Sequence, residues 1–245
     1  MNEILLFLAV GFLAQVIDGA LGMAYGLVAS SVLLAMGIAP VTASASVHAA
    51  EMFTTGASGL AHLRAGNVIP RLVMRLAIPG MLGGVLGAYV LTDWPVHIMK
   101  PLVSAYLLVM GVLILRRAWH PPAPQAGEPR RVTLLGFGGG FLDAVGGGGW
   151  GPLVTSTLIG RGNVPRTAIG STNAAEFFVT TAITAVFVAT IGLELWPVIL
   201  GLVLGGVLAA PLAATITRRV PARPLMIVVG VVIVLLALRG LLAAR

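Results

Sequence analysis

Four carboxylates stand inside apolar stretches of this chain: Asp18, Glu51, Asp143 and Glu176. The other four acidic residues, Glu3, Asp93, Glu128 and Glu194, fall in tails or loops. An ionisable group in an apolar span is costly, and one that is kept there usually marks a pathway, a relay or a site. His48 precedes Glu51 by three residues, so on a helix the two share a face. Either side chain could titrate and couple proton movement to another event. Asp18, His48, Glu51, Asp143 and Glu176 are therefore the candidate coupling and gating residues. A plainer role is compatible with this one: the aspartates cap breaks in helices and the glutamates tie helices together. His-x-x-Glu could also ligate a metal, but the matching stretch carries Asn173 in place of the histidine and the chain has no Cys. No metal and no cofactor are expected.

Glycines flank the aspartates. Gly19, Gly22 and Gly26 follow Asp18, and Gly146 to Gly149 with Gly151 follow Asp143. Such residues let a backbone turn and expose its N–H groups. A helix that starts at the turn then directs its positive end and unpaired N–H groups inward, which suits an anion without a buried arginine. Close helix packing through small residues explains single glycines well and a run of four poorly. Tyr25 and Trp150 hold equivalent places beside the turns, as walls or gates of a site or as aromatics packed on glycine. The residues expected to meet a small anionic ligand are Gly22, Tyr25, Gly26, Ser46, Gly147, Gly148, Gly149, Trp150, Ser171 and Asn173.

The elements that must position these groups come in two copies. At an offset of 125 residues, Asp18 falls on Asp143, Gly22 on Gly147, Tyr25-Gly26 on Trp150-Gly151, Ser46 on Ser171 and Ala49-Ala50-Glu51 on Ala174-Ala175-Glu176. Duplicated halves in a membrane protein point to a transporter with its site where the repeats meet. The first apolar stretch runs from Ile4 to about Ile38. As one straight helix it would be about 50 Å long, against a hydrocarbon core of about 30 Å, so it must break near Asp18 to Gly22. The second copy breaks at Gly146 to Gly149, between arms of about Val132–Val145 and Trp150–Gly160. Each opening segment reads as a re-entrant helical hairpin. Three spans follow it in each half: about Val41–Leu63, Leu72–Leu91 and Val96–Leu115, then Thr167–Ile191, Trp196–Ile216 and Leu225–Leu238. The expected fold is an all-α polytopic membrane protein of two inverted-topology repeats, 1–120 and 132–245, joined by a cytoplasmic linker at 121–131.

Charge sets the orientation. With this span count, one side collects every basic residue except Lys100, Arg239 and Arg245. By the positive-inside rule that side is cytoplasmic and both termini lie outside. An odd number of spans per half turns the second half over. The loops agree: Arg64–Arg71 is basic while Gly192-Leu193-Glu194 is not. The net charge of +7 therefore reports topology, and no nucleic-acid partner is expected. Of the whole chain 58% is hydrophobic and 9% charged, which excludes an ordinary soluble domain and leaves no room for a separate catalytic one. The Met-Asn-Glu start lacks the basic region of a cleavable signal peptide, so the first apolar segment is expected to remain. A bacterial inner membrane is the expected location. Gly80, Gly83, Gly84 and Gly87, like Gly205-Gly206, could pack spans within one chain or between two copies in a homodimer. An enzyme would need a nucleophile–base pair or a metal set, of which His48-x-x-Glu51 is a fragment. A passive anion channel could share the same inverted repeats.

The strings Val16-Ile17-Asp18-Gly19-Ala20-Leu21-Gly22-Met23-Ala24-Tyr25-Gly26, Gly140-Phe141-Leu142-Asp143-Ala144-Val145-Gly146-Gly147-Gly148-Gly149-Trp150-Gly151-Pro152 and Gly170-Ser171-Thr172-Asn173-Ala174-Ala175-Glu176-Phe177 resemble the TauE/SafE sulfite exporter family. The resemblance covers essentially the full chain. It implies a secondary transporter of small sulfur-containing anions, sulfite or organosulfonates, working by alternating access. Export is the expected direction and proton coupling the expected drive for any uphill step. Uptake of a sulfonate is the alternative within the family.

Overall fold

The computed structural model describes residues 2–120, 131–216 and 222–242. The linker expected at 121–131 lies almost wholly outside them, as do Arg218 and Arg219. Helices α1 (Asn2–Leu21) and α2 (Tyr25–Ala35) form the first opening segment, followed by α3 (Pro40–Arg64), α4 (Pro70–Asp93) and α5 (Val96–Trp119). The second half repeats the order. It begins with α6 (Val132–Gly146) and a π-helical turn Gly151–Thr155 that runs into α7 (Ser156–Gly160). Next come α8 (Pro165–Thr190), α9 (Trp196–Ile216) and α10 (Ala222–Leu242). No strand occurs among the described residues.

Local chemistry explains the starts. Pro40, Pro70 and Pro165 each open a helix, where a missing N–H costs nothing and the fixed φ is already helical. Pro70–Asp93, Val96–Trp119, Pro165–Thr190 and Arg223–Leu242 are long and apolar enough to cross a membrane. Helix α3 is as long, at 25 residues, but less apolar because its inward face carries Ser44, His48, Glu51, Thr54 and Thr55. The pattern is inverted relative to a soluble protein. Leu82, Leu86, Leu102, Leu208 and Leu235 face outward while these polar groups are buried. An apolar exterior is what a hydrocarbon solvent requires.

The two opening arms of the first copy are unequal. Helix α1 has 20 residues and is about 30 Å long, with Ile4–Asp18 as its apolar stretch. Helix α2, with 11 residues, reaches about 16 Å, and the Gly151–Gly160 arm is no longer.

The two halves interlock. Helix α1 packs on α9 and, in the matching place, α6 packs on α4; α3 packs on α8 and α5 on α10. Gly59 meets Ala174 while Gly56 meets Phe177, so the equivalent helices α3 and α8 run antiparallel. Gly111 against Val234 and Gly230 against Leu115 show the same for α5 and α10. The glycines of α4 are used inside the chain. Gly83 and Gly87 let its backbone approach Phe137 and Phe141 of α6, and Gly84 receives Ile183 of α8. Gly205 likewise meets Leu8 of α1. These contacts answer the question of what the small residues pack against.

Candidate functional site

Both opening segments break at the expected residues. Helix α1 ends at Leu21, with Gly22 at φ 65°, and α6 ends at Gly146, with Gly147 at φ 66°. The next turn is strained in the first copy, where Ala24 has φ 102° at the place of Gly149.

Each aspartate caps the helix that follows its break. The Tyr25 N–H donates to Asp18 Oδ1 at 3.5 Å, and the Trp150 N–H donates to Asp143 Oδ1 at 3.0 Å. Both bonds span seven residues, so the capping is itself duplicated. The inward-facing N-termini are thus partly satisfied by the chain's own carboxylates.

The two breaks touch. A Cβ at Gly26 would lie 2.7 Å from Gly148 Cα, 2.8 Å from Glu51 Oε1 and 2.9 Å from Gly147 O. Backbone therefore meets backbone, with Glu51 of α3 beside the contact. Ser30 donates from its hydroxyl to Gly147 O. Tyr106 of α5 covers the other side: its hydroxyl donates to Gly148 O at 2.9 Å, and its ring lies against Gly146 and Gly149.

His48 and Asp143 join the halves. His48 is fully buried, with Nε2 at 3.3 Å from Asp143 Oδ2 and Nδ1 at 2.8 Å from the Ser44 carbonyl. A carbonyl only accepts, so Nδ1 carries a proton. Ser44 donates to Ala144 O at 2.6 Å, leaving its oxygen free to accept from the same ring nitrogen at 3.2 Å. Nε2 and Asp143 Oδ2 thus lie at ion-pair distance across the two halves. His48, Glu51 and Asp143 each offer a ligand atom, all within 4.8 Å of one another, so by distance they could hold a metal ion. The third member arrives from α6, which the His-x-x-Glu spacing could not reveal.

Glu176 of α8 reaches the same region from the other half. With Asp18, Glu51, Gln15, Tyr25, Thr54, Thr55 and Ser58 it lines a cleft too narrow for a water-sized sphere. Glu51 and Glu176 are close enough to feel each other and both aspartates electrostatically. Asn173 lies beside this group, donating from Nδ2 to Ser58 Oγ at 2.8 Å.

Two expected site residues sit elsewhere. Ser171 accepts from the Ile69 N–H at 2.9 Å, tying the start of α8 to the α3–α4 loop. Ser46 donates to Thr42 O at 2.8 Å and lines a separate pocket with Ile191 to Glu194. The two serines are equivalent in the repeat, but Ser171 bonds a loop while Ser46 bonds within its own helix. Trp150 is fully buried, packed on Gly80 and Gly139, with its Nε1 donating to Thr172 O at 3.2 Å. Tyr25 lines the cleft, and its hydroxyl donates to Leu202 O at 2.9 Å. Tyr106, Gln15 and Ser30 went unmarked in the sequence. The equivalent of Tyr106 is Val231, so repetition gave no signal for it.

The profile of the family described as Sulfite exporter TauE/SafE matches residues 7–240 of this chain. The chain belongs to the TauE/SafE sulfite exporter family. It is a multi-pass membrane protein of a transporter family, and the motifs at both breaks of this TauE/SafE member lie inside the matched span. The chain is also 41% identical, over 99% of its length and 84% of the relative's, to the "Probable membrane transporter protein YtnM" of Bacillus subtilis (strain 168). No solved structure matches the chain significantly.

Proposed function

We propose that this TauE/SafE member is a secondary transporter that exports a small sulfur-containing oxyanion, such as sulfite, by alternating access. One observation carries the reading. Two equivalent helix breaks meet back to back in the interior, each opening a helix whose N-terminus faces the contact. Broken helices at a repeat interface are where transporters place anionic substrates. Gly22, Gly26 and Gly147 to Gly149 supply the backbone surface there, and Tyr25 and Trp150 flank it.

The carboxylates fit an anion carrier in a particular way. Asp18 and Asp143 each direct an oxygen to a backbone N–H, and Asp143 also faces His48 Nε2. Their charge is spent on the scaffold before a substrate arrives. The inside-negative potential would drive export at about 2.3 kcal/mol per charge per 100 mV. In this reading the protein lies in the bacterial inner membrane with both termini periplasmic.

Thermal unfolding of the purified protein with sulfite, sulfate, thiosulfate, taurine, sulfoacetate and acetate tests the substrate class. Stabilisation by one sulfur oxyanion over acetate is expected. Equal behaviour across the panel would remove the substrate assignment.

A further inference from the structure

Ser171 and Ser46 hold the same place in the two halves, yet only Ser171 fastens a loop. It accepts the Ile69 N–H at 2.9 Å, which ties the end of the α3–α4 loop to the start of α8. Ser46 donates instead to Thr42 O within its own helix. The residue that matches Ile69 is Leu195. Each immediately precedes a helix and accepts from the fourth residue on, Val73 N–H to Ile69 O and Ile199 N–H to Leu195 O. Between Ser46 and its loop lies a cavity of about 210 Å³, walled by Thr42, Ala45 and Ser46 of α3 and by Ile191 to Glu194. One position accounts for the difference. A Cβ on Gly170 would stand 2.4 Å from Asn67 O, so the α3–α4 loop settles there against bare backbone. Ala45 occupies the matching position in α3, and its methyl denies the other loop so close an approach.

We propose that the α3–α4 and α8–α9 loops are the two alternating gates of the carrier, with Ser171 and Ser46 as their catches. In this conformation the α3–α4 gate is shut and the α8–α9 gate stands open, which in the orientation proposed above opens the protein to the periplasm. In the opposite state the Leu195 N–H donates to Ser46 Oγ, and the Ile69 N–H leaves Ser171. A serine hydroxyl that donates keeps its lone pairs, so Ser46 can accept the loop without giving up Thr42 O. Helices α3 and α8 run antiparallel, which puts the two mouths at opposite ends of the central pair. Each catch stands five residues before an interior glutamate, Glu51 or Glu176. That is about 7.5 Å along the helix axis, so the two mouths flank one interior and can serve it in turn. The gates stand on the duplicated geometry. Their use in carrying an anion rests on the transporter reading.

Paired cysteines in this cysteine-free chain test each catch. One full-length variant carries Ile69→Cys with Ser171→Cys, and the other carries Leu195→Cys with Ser46→Cys. The bond from Ile69 to Ser171 places the first pair within disulfide reach. Both are oxidised in native membranes, and closure is scored as protection from a maleimide-polyethylene glycol. The first pair should close fast, and the second more slowly but to completion as the other state is visited. No closure of the second pair under conditions that close the first would make the cavity a fixed feature and overturn the proposal. Gly170→Ala, added to the second pair, should lift the α3–α4 loop and speed closure at Ser46 about tenfold. A loop contact without a gate's role would leave that rate unchanged, and this result too would overturn the proposal. Should Gly170→Ala fold poorly, Ala45→Gly decides, since it adds no bulk and should speed the same closure. Closure of both pairs in a protein that moves no sulfur anion in proteoliposomes would overturn the transport reading and leave the gates standing.

Discussion

His48 shows how one side chain can bind two halves of a membrane protein. Its two ring nitrogens address α3 itself and the end of α6, so removing the ring leaves Asp143 Oδ2 buried without its partner. Breaking one member of a buried charged pair is expensive. His48→Ala should lower unfolding stability by about 3 kcal/mol, measured by chemical denaturation in detergent. A loss well below 1 kcal/mol would mean the pair contributes little. Chemistry at this scale was only half legible in the sequence. The four carboxylates stood out because the chain is otherwise so apolar, and the seven-residue capping bond follows from Asp18 and Asp143 preceding equivalent breaks. The contact between His48 and Asp143 spans 95 residues and depends on how α3 crosses α6. Nothing local encodes that.

At the scale of elements, the breaks are set by where glycine can and cannot be replaced. Gly148 has φ 147°, and a Cβ there would overlap the backbone of Gly26 and Leu27. Gly138, one helix earlier, has nothing within 4 Å of its would-be Cβ. Gly148→Ala should therefore cost on the order of 3 kcal/mol and lower the thermal midpoint sharply. Gly138→Ala should be neutral or raise stability by about 0.5–1 kcal/mol. Similar midpoints for the two variants would refute backbone contact between the breaks. Helix positions were readable because proline and glycine punctuate this chain: Pro40, Pro70 and Pro165 open helices, and Gly22 and Gly147 close them. The length of α1 was less readable. The sequence placed the break only within Asp18 to Gly22; the helix runs to Leu21 and Gly22 ends it. Tyr106 escaped notice because a tyrosine in an apolar span is ordinary until its ring is found over Gly146 and Gly149. Ser46 and Ser171 repeat exactly in sequence yet bond differently, Ser46 to Thr42 O in its own helix and Ser171 to the Ile69 N–H of a loop.

For the whole molecule, antiparallel pairing of equivalent helices means that matching loops should face opposite sides of the membrane. The chain has no cysteine, so single cysteines can report this directly. Arg64→Cys, exposed at the end of α3, should react with an impermeant maleimide only from the cytoplasmic side. Glu194→Cys, exposed in the α8–α9 loop, should react only from outside. Labelling of both from one side would rule out inversion. The inversion also frames an asymmetry between the two breaks. One is open to the narrow cleft beside Asp18 and Tyr25, while its equivalent is closed by Tyr106 and by Trp150. If the halves exchange these roles, access passes from one side of the membrane to the other without moving the central contact. The measurement that tests the central claim most directly is radiolabelled sulfite flux in proteoliposomes under an imposed membrane potential. The account predicts saturable, potential-driven movement of sulfite that unlabelled sulfite competes and acetate does not. Flux no faster than in protein-free liposomes, for sulfite and for every sulfonate tried, would contradict it.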